Sequence, residues 1–389
     1  MRVLIAPEAF GSTLGPVQTA GAMATGWAEG APHDELRLLP LSDGGPGFLD
    51  VVQRAVGGTT VATTVSDPLG REVPAAVLVV DDGPDRRTAY VEASQATGMH
   101  LLGADERDPG LTSTWGVGQL LEAALDEGAT RIVVGVGGGS TNDAGAGMLA
   151  ALGAGPSAAL ARGGLALADL ADDALPGLPS VVERFAGVEV VLATDEGTPL
   201  LGLQGTSAVE APRKGATPGQ AHSLEGAVGR FTDVLSRSLP APPMDLLTGL
   251  PRRLDREPGA GAAGGLGYAL LALGGRTTGA VAEVLRVTGF TVAAAGSDLV
   301  VTGTGRLDWA SVRGSVVSGV AEATLETARP TVVVAGECLV GRRETMSMGL
   351  AGCYAVADHP RDLEAMVADP VATLAARTAR VARTWSPAR

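Results

Sequence analysis

The stretch that decides the fold is residues 131–153, RIVVGVGGGSTNDAGAGMLAALG. Ile132, Val133 and Val134 make a β-branched run of the length of a buried strand. Gly135, Gly137, Gly138 and Gly139 then let the backbone turn sharply and approach other groups closely. Ser140, Thr141, Asn142 and Asp143 are all favourable helix N-cap residues, Met148, Leu149 and Leu152 mark a following helix, and Gly153 can end it. A strand, a glycine turn and a capped helix describe an anion site, since free N–H groups and the helix dipole favour negative charge. They describe equally well a tight turn that holds nothing. Two familiar loops are absent. Counting from Gly135, the sixth position is Ser140, not the glycine of a dinucleotide fingerprint, which argues against a nicotinamide dehydrogenase. The only lysine, Lys214, is followed by Gly215, so there is no Walker loop.

Upstream, residues 112–125 read as a helix capped by Thr112, Ser113 or Thr114. Residues 59–65 and 73–80 alternate as strands joined by the turn SDPLGRE, residues 88–92 add another, and the texture is antiparallel. Nearer the start, residues 3–6 read as a strand, residues near 17–27 as a helix, and residues 36–41 as a second strand that runs into SDGGPG. Asp43 therefore stands at a strand's C-terminal end, where open α/β sheets place ligands, although an ordinary Asp-Gly turn has the same sequence. Downstream, residues 188–193 form an apolar strand ending at Asp195, followed by a Gly- and Pro-rich loop that carries Lys214. EPGAGAAGGLGYALLALGG, residues 257–275, feeds glycines into an apolar helix. From Asp298 a strand–helix rhythm returns: DLVVTGTGRLD with Arg306 and Asp308, a helix at 316–327, strands at 331–335 and 353–357, and an Arg-rich amphipathic helix at 361–384.

These rhythms predict an α/β fold of two α/β domains. Residues 1–57 and 296–389 form a discontinuous Rossmann-like domain whose parallel sheet is built from both chain ends, and residues 58–295 form a large inserted mixed α/β domain. The 389 residues are enough for two sizeable cores. A net charge of −14 argues against nucleic acid and anionic membrane surfaces as partners. No apolar stretch reaches the length of a membrane span, and the N-terminal apolar run is too short for a signal peptide. Cys338 and Cys353 show no metal-like clustering, which points to a reduced, cytoplasmic setting. The oligomeric state is left open.

Taken together, the motifs resemble those of the type I glycerate kinase family along essentially the whole chain. They are APEAF (6–10), SDGGPG (42–47), SDPLGR (66–71), TSTWGVG (112–118), VGVGGGSTNDAGAGML (134–149), RKGATP (213–218), PGAGAAGGLG (258–267) and TGTGRLD (302–308). The resemblance implies ATP-dependent phosphorylation of glycerate or a similar small hydroxy acid, with ATP and Mg²⁺ as cofactors and two α/β domains enclosing a cleft. Phosphoryl transfer needs positioning, charge stabilisation and carboxylates that hold a metal or accept a proton. Asp43, Asp143, Asp195 and Asp308 are the candidate catalytic carboxylates. Asn142, Lys214 and Arg306 are candidates for the substrate, and Gly137, Gly138, Gly139 and Ser140 for the cofactor; no metal ligand is assigned. The expectation is that Asp43, Asn142, Asp143, Asp195, Lys214 and Arg306 share one cavity. The chain also departs from the family pattern. Lysines usual in the family are replaced by Gly11 and Ser315, and glutamates by Pro46 and Thr304, while Glu8 stands where the family has aspartate. These lost charges open a second reading, a member that keeps the fold and ligand binding without catalysis.

Overall fold

Short Val-rich runs build two β-sheets; the chain enters the first twice, at β1–β2 and again at β9–β11, and runs through the second once. The computed structural model describes residues 1–83, 85–240, 244, 249 and 252–386. In chain order its strands are β1 (Arg2–Ile5), β2 (Glu35–Leu38), β3 (Thr59–Ser66), β4 (Glu72–Asp81), β5 (Arg87–Glu92) and β6 (Arg131–Gly135). They continue with β7 (Glu189–Ala193), β8 (Arg276–Thr278), β9 (Leu299–Leu307), β10 (Thr331–Cys338) and β11 (Gly352–Ala355). Two compact units result. The first contains Met1–Asp43, Asp50–Gly57 and Gly279–Arg389, and the second contains Gly44–Leu49 and Gly58–Thr278.

The first unit is a parallel sheet in the order β11-β10-β9-β1-β2. Val3 lies opposite Leu36 on one side and Leu299 on the other, so β1 joins the two ends of the chain in one sheet. The helices Pro16–Gly30 and Pro370–Trp385 cover one face, with Met23, Trp27 and Leu374 buried against Ile5 and Val301. These two helices touch backbone to backbone. A Cβ on Gly26 would lie 2.0 Å from the Ala375 carbonyl oxygen, and one on Gly30 would lie 2.3 Å from that of Ala379. On the other side, the helix Val316–Glu326 packs Val317 and Ala321 with Leu307 and Val333.

Two features of this unit differ from the sequence-based expectation. The boundary falls at Gly279, not 296, because the helices Ala280–Val287 and Phe290–Ala295 pack on Val316–Glu326. The Arg-rich terminal segment is two helices, Pro360–Ala368 and Pro370–Trp385. Pro370 has no N–H to continue the first helix, and the Asp369 carboxylate starts the second by accepting from the Ala372 N–H at 3.0 Å.

The second unit has the strand order β3-β4-β5-β6-β7-β8. The pairs from β3 to β5 are antiparallel, and those from β5 to β8 are parallel. The strand–helix rhythm read at the chain ends therefore also runs through the middle. Ile132 and Val134 of β6 and Leu192 of β7 pack with Leu120, Phe231 and Leu266 in the large core. Phe231 lies on the helix Pro218–Ser238, which the hydrophobic pattern does not predict although a capping box announces it. The Thr217 hydroxyl accepts from the Gln220 N–H at 3.3 Å, and Gln220 Oε1 accepts from the Thr217 N–H at 2.9 Å.

Candidate functional site

In the second unit the polar residues gather beyond the C-terminal ends of the parallel strands, where strand ends leave room for ligands. After β6 the glycines serve close approach. The Gly137 N–H donates to the Gly44 carbonyl at 3.2 Å, and a Cβ on Gly137 would lie 2.8 Å from Gly45 Cα. Gly138 has φ +76°. Ser140 is buried and anchors the loop, donating from both its N–H (2.7 Å) and its hydroxyl (2.8 Å) to the Thr97 carbonyl. The Gly138 and Gly139 N–H groups have no partner among the described residues.

The helix after this loop starts later than the sequence suggests. It spans Ala146–Ala151, and its N-cap is Gly145, at φ +78°, rather than any residue from Ser140 to Asp143. Those four side chains are engaged elsewhere or buried. Asp143 is fully buried, and its Oδ2 accepts from the Thr114 N–H (2.8 Å), the Thr114 hydroxyl (2.9 Å) and the Gly147 N–H (3.1 Å). Oδ1 accepts from the Gly145 N–H at 3.1 Å. Burial pushes the Asp143 carboxyl above the usual carboxylate range, and these donors oppose the shift. Thr114 sits at the N-cap of the helix Trp115–Asp126, but its hydroxyl serves Asp143 and the Met148 N–H instead of its own helix.

Asn142 and Lys214, 72 positions apart, meet on the peptide between Thr141 and Asn142. The Lys214 ammonium, 6% exposed, donates to the Thr141 carbonyl at 2.9 Å. Burial lowers its proton affinity, while Glu196, Glu210 and Asp143 pull it back up. The Asn142 amide donates to Ser207 Oγ at 3.1 Å. Around it, Asn142 Oδ1, Thr141 Oγ1 and Thr206 Oγ1 are buried with no hydrogen-bond partner among the described residues. Such atoms are costly unless something fills them. Thr206 and Ser207 come from a turn of helix, Thr206–Val209, inside the long Gly- and Pro-rich loop. The glycines of PGAGAAGGLG close the cluster from behind. Ala263, Gly264 and Gly265 have φ of +51°, +73° and +88°, and a Cβ on Gly264 would lie 1.9 Å from the Thr141 oxygen. Asp195 and Glu196 follow β7, both half-buried, and Glu196 Oε2 accepts from the Ala263 N–H at 3.2 Å.

In the first unit, Glu8 follows β1 and donates its N–H to the Gly303 carbonyl at 3.0 Å. Its half-buried carboxyl is pushed up to about 8, first by burial and then by the charge of Asp43, with the Thr304 side chain opposing through a hydrogen bond. Asp43 itself is exposed. Arg306 is exposed at the end of β9, with its Nε 3.4 Å from Asp308. Asp308 caps the turn Trp309–Val312, accepting from the Ala310 (2.9 Å) and Ser311 (3.3 Å) N–H groups. Sequence reasoning marks Glu8 only as a departure from the family and misses Thr206, Ser207 and Glu196. The hydroxyl pair within a long Gly- and Pro-rich loop is the signal that could have found two of them. Among the described residues, no three His, Cys, Asp or Glu side chains are grouped to hold a metal ion, and no helix is long and apolar enough to cross a membrane.

Known proteins match this arrangement over nearly its full length. The model of the Glycerate kinase family matches residues 3–386. An uncharacterized protein of Mycobacterium tuberculosis is 38% identical over 98% of this chain and 91% of its own length. The glycerate kinase of Bacillus subtilis is 37% identical over 86% of this chain and 85% of its own. The crystal structure of a candidate glycerate kinase 2 from Salmonella typhimurium has a TM-score of 0.74 to this chain at 31% identity, covering 99% of this chain and 98% of that one. Because the matches run through both units and through the strand-end loops just described, the chain belongs to the glycerate kinase family.

Proposed function

We propose that the chain is an ATP-dependent kinase that transfers a phosphoryl group to glycerate or a similar small hydroxy acid. The observation that carries this reading is the buried cluster around Asn142, where the Lys214 ammonium donates to the Thr141 carbonyl and three buried oxygens keep unfilled hydrogen-bonding capacity. That donor and acceptor set suits a small molecule bearing a carboxylate and hydroxyls. Lys214 pairs with the carboxylate, and Asn142 Oδ1 and the Thr206 hydroxyl receive the substrate hydroxyls. The Gly138 and Gly139 N–H groups, unpartnered among the described residues at a glycine turn, suit phosphate oxygens, with Gly137 and Ser140 fixing the turn. When bound, ATP supplies the phosphoryl group and Mg²⁺ reduces the charge on its phosphates. Mg²⁺ in such reactions needs only one or two protein carboxylates beside the phosphates, so the described residues need not supply a three-ligand cluster. Asp195, which follows β7, is a carboxylate for that role. Asp143 positions the loop after β6, and Asp308 positions the turn after β9.

Two positions favour the second reading, binding without catalysis. Gly11 has φ +61°, and Ser315 caps the helix Val316–Glu326 by accepting from the Ser318 N–H at 3.1 Å, so structural roles occupy the places of the family lysines. ADP release by the purified chain with ATP, Mg²⁺ and a panel of small hydroxy acids separates the two readings. The kinase reading expects ADP release that depends on glycerate or a close relative and falls at least about tenfold in Lys214→Met, the loss of one charge-assisted hydrogen bond. Calorimetric binding of the acid with no ADP release from any panel member would support the second reading instead.

A further inference from the structure

The chain has two cysteines, 15 positions apart, and the fold brings them together. Cys338 ends β10 and Cys353 lies in the edge strand β11 of the first unit. The Cys353 thiol donates to Cys338 Sγ at 2.9 Å, and Cys338 in turn faces the Val340 carbonyl at 3.5 Å. Both residues are half-buried and pack on a small apolar cluster of Leu307, Val333, Val340 and Leu350. Two thiols with no shared motif in the sequence are therefore neighbours. We propose that Cys338 and Cys353 form a reversible intramolecular disulfide by exchange with a low-molecular-weight disulfide such as oxidised glutathione.

The exchange balances in two steps. The Cys338 thiolate attacks one sulfur of the small disulfide, forming a mixed disulfide and expelling one small thiolate, which takes up the proton that Cys338 lost. Cys353 then gives up its proton and attacks Cys338 Sγ, forming the internal bond and expelling the second small thiol. The protein pair is oxidised by two electrons, and the small disulfide is reduced to two thiols. Burial pushes the Cys353 thiol up, which keeps it protonated and assigns the first attack to Cys338. With no third cysteine in the chain, the mixed disulfide has a single internal resolving partner. The bond would fasten the edge strand to the end of β10. Cys338 pairs there with Leu307, and the Leu339 N–H donates to the Leu307 carbonyl at 2.8 Å, directly after Arg306. Redox state would thus tune the stiffness of the strand that presents Arg306.

Intact-mass measurement and thiol titration of the full chain, after oxidised glutathione and again after dithiothreitol, test the proposal. The expected result is loss of two hydrogens with no retained glutathione, disappearance of both titratable thiols, and full reversal by dithiothreitol. Oxidation should also raise the melting midpoint by about 5 °C, as closure of a loop of this length implies. Cys353→Ser should trap glutathione on Cys338, because the resolving thiol is gone. Retention of both free thiols, stable glutathione on both cysteines of the unmodified chain, or a disulfide between two chains would each overturn it.

Discussion

Asn142 and Asp143 are neighbours in sequence with opposite circumstances, and substitution should separate them. Asp143 accepts four hydrogen bonds from groups that only donate to it, so Asp143→Asn turns an amide N–H₂ toward those donors. A loss of about 3 kcal/mol in denaturant-unfolding stability is expected. Asn142 gives one neutral hydrogen bond and keeps an orphaned oxygen, so Asn142→Ala should change stability by less than about 1 kcal/mol while cutting turnover. Comparable losses of stability in both variants would contradict this division. Glu8 sets a pH dependence. Its folded value near 8 lies above an ordinary glutamate, so the native state holds a proton that the unfolded chain releases between about 4.5 and 8. Its contribution to stability is complete below that window and is lost as pH rises through 8. Solvent screening of a half-buried group keeps the swing to about 2 kcal/mol. Glu8→Gln should flatten the slope of stability against pH across this window, and an unchanged slope would remove Glu8 as its source. At this scale the sequence exposes Asn142, Asp143 and Lys214 as candidates through motif and rarity. It could not tell a capping carboxylate from a reacting one, nor that Ser207 would meet Asn142 from 65 positions away.

At the scale of elements, the helix pair Pro16–Gly30 and Pro370–Trp385 makes a controlled comparison possible. Ala is the better helix former by about 1 kcal/mol, so Gly→Ala is favourable wherever space allows. Gly21 has open space where a Cβ would stand, with nothing within 4 Å, and Gly21→Ala should stabilise the fold by up to about 1 kcal/mol. Gly26 faces the backbone oxygen of Ala375 at 2.0 Å from the Cβ position, and that oxygen cannot rotate away. Gly26→Ala should therefore cost about 1–3 kcal/mol net, read as a lower thermal midpoint. Equal stabilisation by both would show that the two helices do not pack this closely. The strands were legible because β-branched runs flanked by glycine have few other uses, and Ile132–Val134 is the clearest case. The break at Asp369–Pro370 was legible in principle, since an acidic N-cap followed by proline is a start signal, but the continuous arginine spacing masked it. The helix Pro218–Ser238 was hidden because its small and polar residues dilute the apolar face that its buried Leu224, Val228, Phe231 and Leu235 form.

For the whole molecule, the chain crosses between units at 43/44, 49/50, 57/58 and 278/279. The short visit Gly44–Leu49 carries Phe48, fully buried in the second unit, with its ring edge-on to Tyr90 at 6.1 Å. Phe48→Ala should thus destabilise the second unit by about 3–5 kcal/mol, although the residue is encoded among first-unit segments. Hydrogen exchange localised to β5 and β6 would report it, and faster exchange confined to the first unit would refute it. The sequence suggested an insertion with one entry and one exit, since local rhythm cannot register a six-residue detour.

A sheet assembled from both ends of the chain also sets an order in time. β1 and β2 leave the ribosome first, but β1 must wait for its neighbour β9, roughly 295 residues later, or about 15–60 s at ordinary rates of synthesis. During that interval the second unit has nearly all of its strands in hand, while the nascent first strands hold one open edge. Translation speed across residues 58–298, and any chaperone that shelters the waiting edge, therefore belong to the folding of this enzyme family as much as its contacts do.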